Sequence, residues 1–186
     1  MYSIEILVQE HKLILELTDI IRKECVKILN GKEIDFELFD NIIYFTKNFA
    51  DKYHHQKEEK ILFRVMMESL PPVATQLIRG GMMVEHDLGR FHVKSIVEAL
   101  QEYKKNPTDE LKLEIISNAI CYSNLLSRHI GKEDAAVYTF AERSLTKENL
   151  EIVEKETHEH ENKKENIEIR SKCIKILEGL KEKNNG

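Results

Sequence analysis

Apolar residues recur at alternating steps of three and four along most of the chain, the pattern of helices that each bury one face. The first seam reads Ile4, Leu7, His11, Ile14, Thr18, Ile21, Cys25, Ile28. It predicts a helix from Ser3, a residue able to act as N-cap, to Asn30, with Gly31 as the stop. A second seam follows Asp35, another capping residue, with Leu38, Ile42, Phe45 and Phe49, and its phase continues to His54, Glu58, Ile61 and Val65. It must end before Leu70-Pro71-Pro72, because proline cannot continue the hydrogen-bond ladder.

The third seam carries Ile78, Met82, His86, Gly89, Val93, Ile96, Leu100 and Tyr103 up to about Lys105. After the short connection Asn106-Pro107-Thr108, the fourth is the cleanest: Ile115, Ala119, Tyr122, Leu126, His129, Glu133, Ala136, Phe140. A fifth, more polar helical stretch covers about residues 146–183, marked by Ile167, Ile174 and Leu177. It is expected to pack on the outside or against another copy of the chain, which makes a homodimer one candidate assembly. No stretch alternates as a strand would. The prediction is an all-α protein, an up-down-up-down four-helix bundle (residues 1–143) with an additional C-terminal helix in an extension (144–186).

Composition narrows the picture without changing it. The 186 residues are 41% hydrophobic and 33% charged, with only seven glycines and three prolines, which suits one domain of long helices. The net charge of -5 is spread among interleaved acids and bases, so no nucleic-acid footprint is expected. The first residues, Met1-Tyr2-Ser3-Ile4-Glu5, lack a basic region followed by an apolar core, and no apolar run approaches the ~20 residues of a membrane span. A cytoplasmic location without membrane attachment is the expectation. Three cysteines, Cys25, Cys121 and Cys173, form an odd set without paired short spacing, as reduced thiols do.

The chemistry lies where polar residues interrupt the seams. His11, His54, His86 and His129 each occupy a position that the pattern reserves for an apolar side chain. One such histidine is ordinarily a satisfied core residue. Four, with Glu58 and Glu133 one turn beyond His54 and His129, are harder to dismiss, because carboxylates are seldom buried without partners. In Tyr53-His54-His55-Gln56-Lys57-Glu58-Glu59 the alternative pair His55 and Glu59 lies about 100° further round an α-helix, so His54 with Glu58 is the preferred inward pair. Helices that alternate in direction bring all four histidines toward one end. Six such side chains exceed what one tetrahedral zinc needs, and mixed nitrogen and oxygen donors with bridging carboxylates favour two ions, iron or else manganese; zinc acquired adventitiously would fit the same donors.

Other features have plainer readings. Gly89 inside a helix costs on the order of 1 kcal/mol and suits either close backbone approach, ligand access or simple tolerance. His158 and His160, two residues apart, face different sides and suit a solvated segment better than a metal site.

The set of motifs resembles the hemerythrin-like, or HHE cation-binding, family: His11 in helix one, His-His-x-x-Glu-Glu followed by Ile61-Leu62-Phe63, Glu85-His86-Asp87, and His129-Ile130-Gly131-Lys132-Glu133-Asp134. The resemblance covers roughly Ile4 to Arg143. It implies a di-iron centre held by His11, His54, Glu58, His86, His129 and Glu133, with both glutamates bridging. It also implies binding or reaction with a small oxidant, namely dioxygen, nitric oxide or peroxide, in sensing or stress defence. Iron donation to damaged iron centres and metal storage or sensing are the alternatives. Oxygen-carrying members have a second histidine one turn after the helix-three ligand, where this chain has Arg90. That difference predicts one imidazole fewer and an open position beside Arg90, unless Arg90 pairs with a surface acid such as Glu85 or Asp87. Glu133 follows the HHE spacing, whereas an oxygen carrier's acid would fall at Asp134.

Overall fold

The computed structural model describes residues 1–185, which form six helices. Helix α1 is Tyr2–Leu29, α2 spans 36–69, α3 spans 72–105, α4 spans 109–144, α5 is Lys147–Glu161 and α6 is Lys164–Asn185. Among the described residues there is no strand, and no helix is long and apolar enough to cross a membrane.

Local chemistry sets the helix ends. Gly31 adopts φ +92°, the left-handed conformation that a side chain resists, and terminates α1. Asp35 Oδ1 accepts a 3.0 Å bond from the Leu38 amide and starts α2. Leu70-Pro71 separates α2 from α3, whose first residue is Pro72. Thr108 and Thr146 cap α4 and α5 through their hydroxyls. Ser3 does not act as a cap: α1 already begins at Tyr2, and the Ser3 amide and hydroxyl both donate to Glu154 of α5.

The C-terminal stretch differs from the single helix that its pattern predicts. It breaks at Asn162-Lys163 into α5 and α6. Side-chain amides hold the corner: Asn162 donates to the His158 carbonyl, and the buried Asn166 donates to that of His160. Residues Ile169, Cys173, Leu177 and Leu180 form the buried stripe of α6, while Ile167 is exposed. His160 is buried beneath the corner, contrary to the solvated reading; His158 is exposed and stacks on Tyr2.

Helices α1 to α4 pack as a ring, α1 on α2, α2 on α3, α3 on α4 and α4 on α1. Helix α6 covers α1 and α2, and α5 lies along α1 and the later half of α2. The interior holds two separate apolar clusters. The larger contains Ile14, Phe45, Phe49, Val93 and Leu126, and the smaller contains Leu7, Ile61, Phe63, Met82 and Val137. Each of the four ring helices passes from one cluster to the other at its seam histidine. Cys25 and Cys173 are buried free thiols and Cys121 is an exposed one.

Replacing Asp35 with alanine is expected to cost about 1 kcal/mol of stability, the usual worth of an N-cap bond. Urea denaturation monitored by helical circular dichroism checks this; an unchanged midpoint would show the cap to be dispensable.

Candidate metal centre

Burying charged side chains between two apolar clusters is costly unless each finds a partner. His11, His54, Glu58, His86, His129 and Glu133 all lie in this layer, and each is 2% exposed or less. Their inward atoms lie close together. His54 Nε2 is 3.5 Å from Glu58 Oε2, His129 Nε2 is 3.1 Å from Glu133 Oε2, and His11 Nε2 is 3.4 Å from the same oxygen. His86 Nε2 is 3.0 Å from His129 Nε2 and 3.5 Å from Glu58 Oε2.

His55 joins them, against the expectation that only one of the adjacent histidines faces inward. Its ring stacks on His86 with centroids 3.8 Å apart. Thr46–His55 and Glu58–Leu62 are π-helical, with wider turns than the α-helix on which the 100° argument rests. Glu133–Val137 in α4 is π-helical as well. Tyr138, one turn after Glu133, also enters the layer, donating its hydroxyl to Glu58 Oε1 and lying 3.3 Å from His11 Nε2. No seam irregularity marks either residue.

The outward nitrogens meet carboxylates in an order that closes on itself. Glu10 of α1 accepts from His54 Nδ1 of α2 at 2.9 Å, and Glu59 of α2 accepts from His86 Nδ1 of α3 at 2.7 Å. Glu85 of α3 accepts from His129 Nδ1 of α4 at 2.9 Å, and Asp134 of α4 accepts from His11 Nδ1 of α1 at 2.7 Å. Asp51 lies 3.5 Å from His55 Nδ1. Each carboxylate that accepts the Nδ1 proton leaves Nε2 of a neutral imidazole as the free lone pair, directed inward. The signal for these acids was available: each of the four ring acids is the sequence neighbour of an inward residue on its own helix.

Cations surround the acids in turn. Lys57, fully buried, donates to Glu10 and, at 2.6 Å, to Glu161 at the end of α5, which also accepts the Tyr53 hydroxyl at 2.7 Å. Lys132 donates to Glu85. Arg90 donates to Asp51 at 2.8 Å, to Glu59 at 2.7 Å and to Asp87 at 2.8 Å. Arg90 therefore pairs with Asp51 and Glu59 beside the layer and with Asp87 at the surface, the last being one of the surface acids that the sequence allowed. His55, from the neighbouring helix, adds a fifth imidazole to the layer.

Protonation is favoured at His11, His86 and His129 and disfavoured at His54 and His55. Burial works against protonation of His11, but Asp134 and Glu133 outweigh it and raise its pKa to about 10. His86 is likewise raised to about 10 against its burial, by Glu133 and Glu59. Burial and the neighbouring Glu133 push Glu58 up to about 8. Burial would raise Glu133, yet His11, His129 and His86 hold it well below the usual carboxylate range. Burial and the His86 ring drop His55 to about 4.

Two sets of donor atoms could each hold a cation: His11, His54, Glu58 and Glu133, and His55, His86 and His129. Within each set the donor atoms lie within 4.8 Å of one another. Glu58 Oε2 and both oxygens of Glu133 are buried without a hydrogen-bond donor, so the residues fit a metal in chemistry as well as in position. The family model of the hemerythrin HHE cation binding domain matches residues 2–141. The chain belongs to that family. No curated protein and no solved structure matches it.

Replacing Lys57 with alanine would leave Glu10 and Glu161 without their shared cation. The expected loss is about 3–5 kcal/mol, the range for breaking a buried pair from one side. Chemical denaturation checks this, and a loss below about 1 kcal/mol would show that the network is not essential to the fold.

Proposed function

We propose that the layer is a di-iron centre, held by His11, His54, His55, His86, His129, Glu58 and Glu133, that binds or reacts with a small oxidant such as dioxygen, nitric oxide or peroxide. The observation that carries this reading is the pair of donor sets together with the three carboxylate oxygens that lack any donor. Five imidazoles with two carboxylates suit iron, or manganese, better than a structural zinc, and Glu58 and Glu133 have the reach and burial to be shared by both sets. Iron, when bound, supplies electron transfer to the oxidant. Seven side chains offer fewer donors than two six-coordinate ions accept, which leaves places for a small molecule.

The chain's own groups have distinct tasks. The outer acids fix each imidazole's tautomer and orientation. Burial and the adjacent Glu58 raise the Tyr138 pKa well above its ordinary value, so the phenol keeps its proton within reach of Glu58 Oε1. Apolar clusters on both sides exclude bulk water.

The up-down-up-down order belongs to the same reading. The outer acid precedes its inward neighbour in α1 and α3 (Glu10 before His11, Glu85 before His86). It follows that neighbour in α2 and α4 (Glu59 after Glu58, Asp134 after Glu133). A step back along an ascending helix and a step forward along a descending one turn the same way round the bundle axis. Residues 1–143 are then the metal-holding unit and 144–186 an extension, of which the helices α5 and α6 pack against it.

Elemental analysis of anaerobically isolated protein should find two iron ions per chain, and exposure to dioxygen, nitric oxide or peroxide should change the optical spectrum. His55→Ala should lower the content toward one. One ion per chain after reconstitution with excess ferrous iron, or a spectrum indifferent to all three oxidants, would overturn the proposal.

Cation binding must expel the protons that the raised pKa values of His11 and His86 retain up to about pH 10. Affinity should therefore rise with pH across the neutral range and fall on acidification, by at least about tenfold per pH unit for one proton released per ion. Chelator competition at pH 6, 7 and 8 measures it; a flat profile would mean that these imidazoles bind no proton in the metal-free protein.

A further inference from the structure

Beside His55, a cavity of about 570 Å³ opens at the surface between α2, α3 and α4. Its inner wall is apolar, formed by Ala50, Val93 and the ring of Tyr122. Lysines stand on its lining as well, and Lys47 and Lys60 are exposed and have no carboxylate partner among the described residues. The two acids of the lining, Asp51 and Glu59, are already engaged by Arg90. In a chain of net charge -5, the mouth of this cavity is locally positive.

Gly89, on α3, also lines the cavity. A Cβ there would meet Tyr122 Cε2 at 3.7 Å and Leu125 Cδ2 at 4.0 Å, ordinary contacts that packing would tolerate. Close helix approach therefore does not require a glycine that costs the helix roughly 0.5–1 kcal/mol. Gly89 leaves its part of the cavity lining without a side chain.

We propose that this cavity is a binding site for a small organic anion with an apolar body. The volume falls within the usual range for such ligands, roughly 300–1,000 Å³. The apolar portion would lie against Ala50, Val93 and Tyr122, and the anionic group would face Lys47 and Lys60. The site adjoins the interior metal layer, with His55, Asp51 and Glu59 in its lining, so an occupant sits beside one imidazole of the layer and the acids next to two of them.

The test uses 2-naphthoate as probe, with the full chain, in a calorimetric titration. The titration is run on metal-free chain and again after addition of ferrous iron; naphthoate binding to the metal-free chain supports the proposal whatever the metal content proves to be, so this proposal and the di-iron reading fail independently. One molecule of naphthoate per chain should bind, and 2-naphthylmethanol, which has the same body without the charge, should bind about tenfold more weakly. The surface variant Lys47→Glu/Lys60→Glu should lose a similar factor in naphthoate affinity. Gly89→Leu, which fills the cavity, should abolish binding; should it fail to fold, the lysine variant decides the question alone. Absence of naphthoate binding at millimolar concentration, or affinity unchanged in the lysine variant or in folded Gly89→Leu, would overturn the proposal.

Discussion

The structure depends on a closed circuit of four hydrogen bonds, each running from an imidazole Nδ1 on one helix to a carboxylate on its neighbour in the ring. These bonds let polar side chains occupy the layer between two apolar clusters. Without the outer acids, four imidazoles would each bury an unsatisfied donor; without Lys57, Arg90 and Lys132, the acids would add charge to an already acidic interior. Imidazole, acid and cation thus form nested shells from the axis outward. The centre of the layer retains its unsatisfied carboxylate oxygens.

Attachment of the C-terminal hairpin to this arrangement is equally specific. Glu161 reaches the outermost shell through Lys57, and Lys57 reaches His54 through Glu10. Three side chains therefore connect the corner between α5 and α6, beyond the family match, with an imidazole of the interior. The corner is itself held by side-chain amides of Asn162 and Asn166 rather than by a glycine or proline, which is why a break there left no conventional mark.

Much of the helical organisation was legible because seams and stop residues are local signals. The ends at Gly31 and Leu70-Pro71, and the cap at Asp35, follow from chain chemistry alone. The inward histidines were legible for a related reason: a polar residue in an apolar stripe violates the pattern that predicts the helix. His55 was not, because the argument against it assumed a uniform α-helical turn, and π-helical geometry depends on tertiary packing. The outer acids were only partly legible. Glu10, Glu59, Glu85 and Asp134 each stand next to an inward residue in sequence, but nothing along one helix reveals which neighbouring helix the acid will face. For Arg90 the sequence left two readings open, and its pairing with Asp87 is one of them, whereas Asp51 and Glu59 lie on another helix and could not be read from spacing to His86.

The circuit also carries information about shape. Every acid meets the next helix in a single circular order. Were α1 to α4 to wind around the axis with the opposite hand, the apolar seams could still meet in the middle. All four acids would then face the wrong neighbours together. The ring is thus a topological lock, with four charge-assisted bonds separating the chain's fold from a mirror-wound competitor that hydrophobic burial alone would scarcely distinguish.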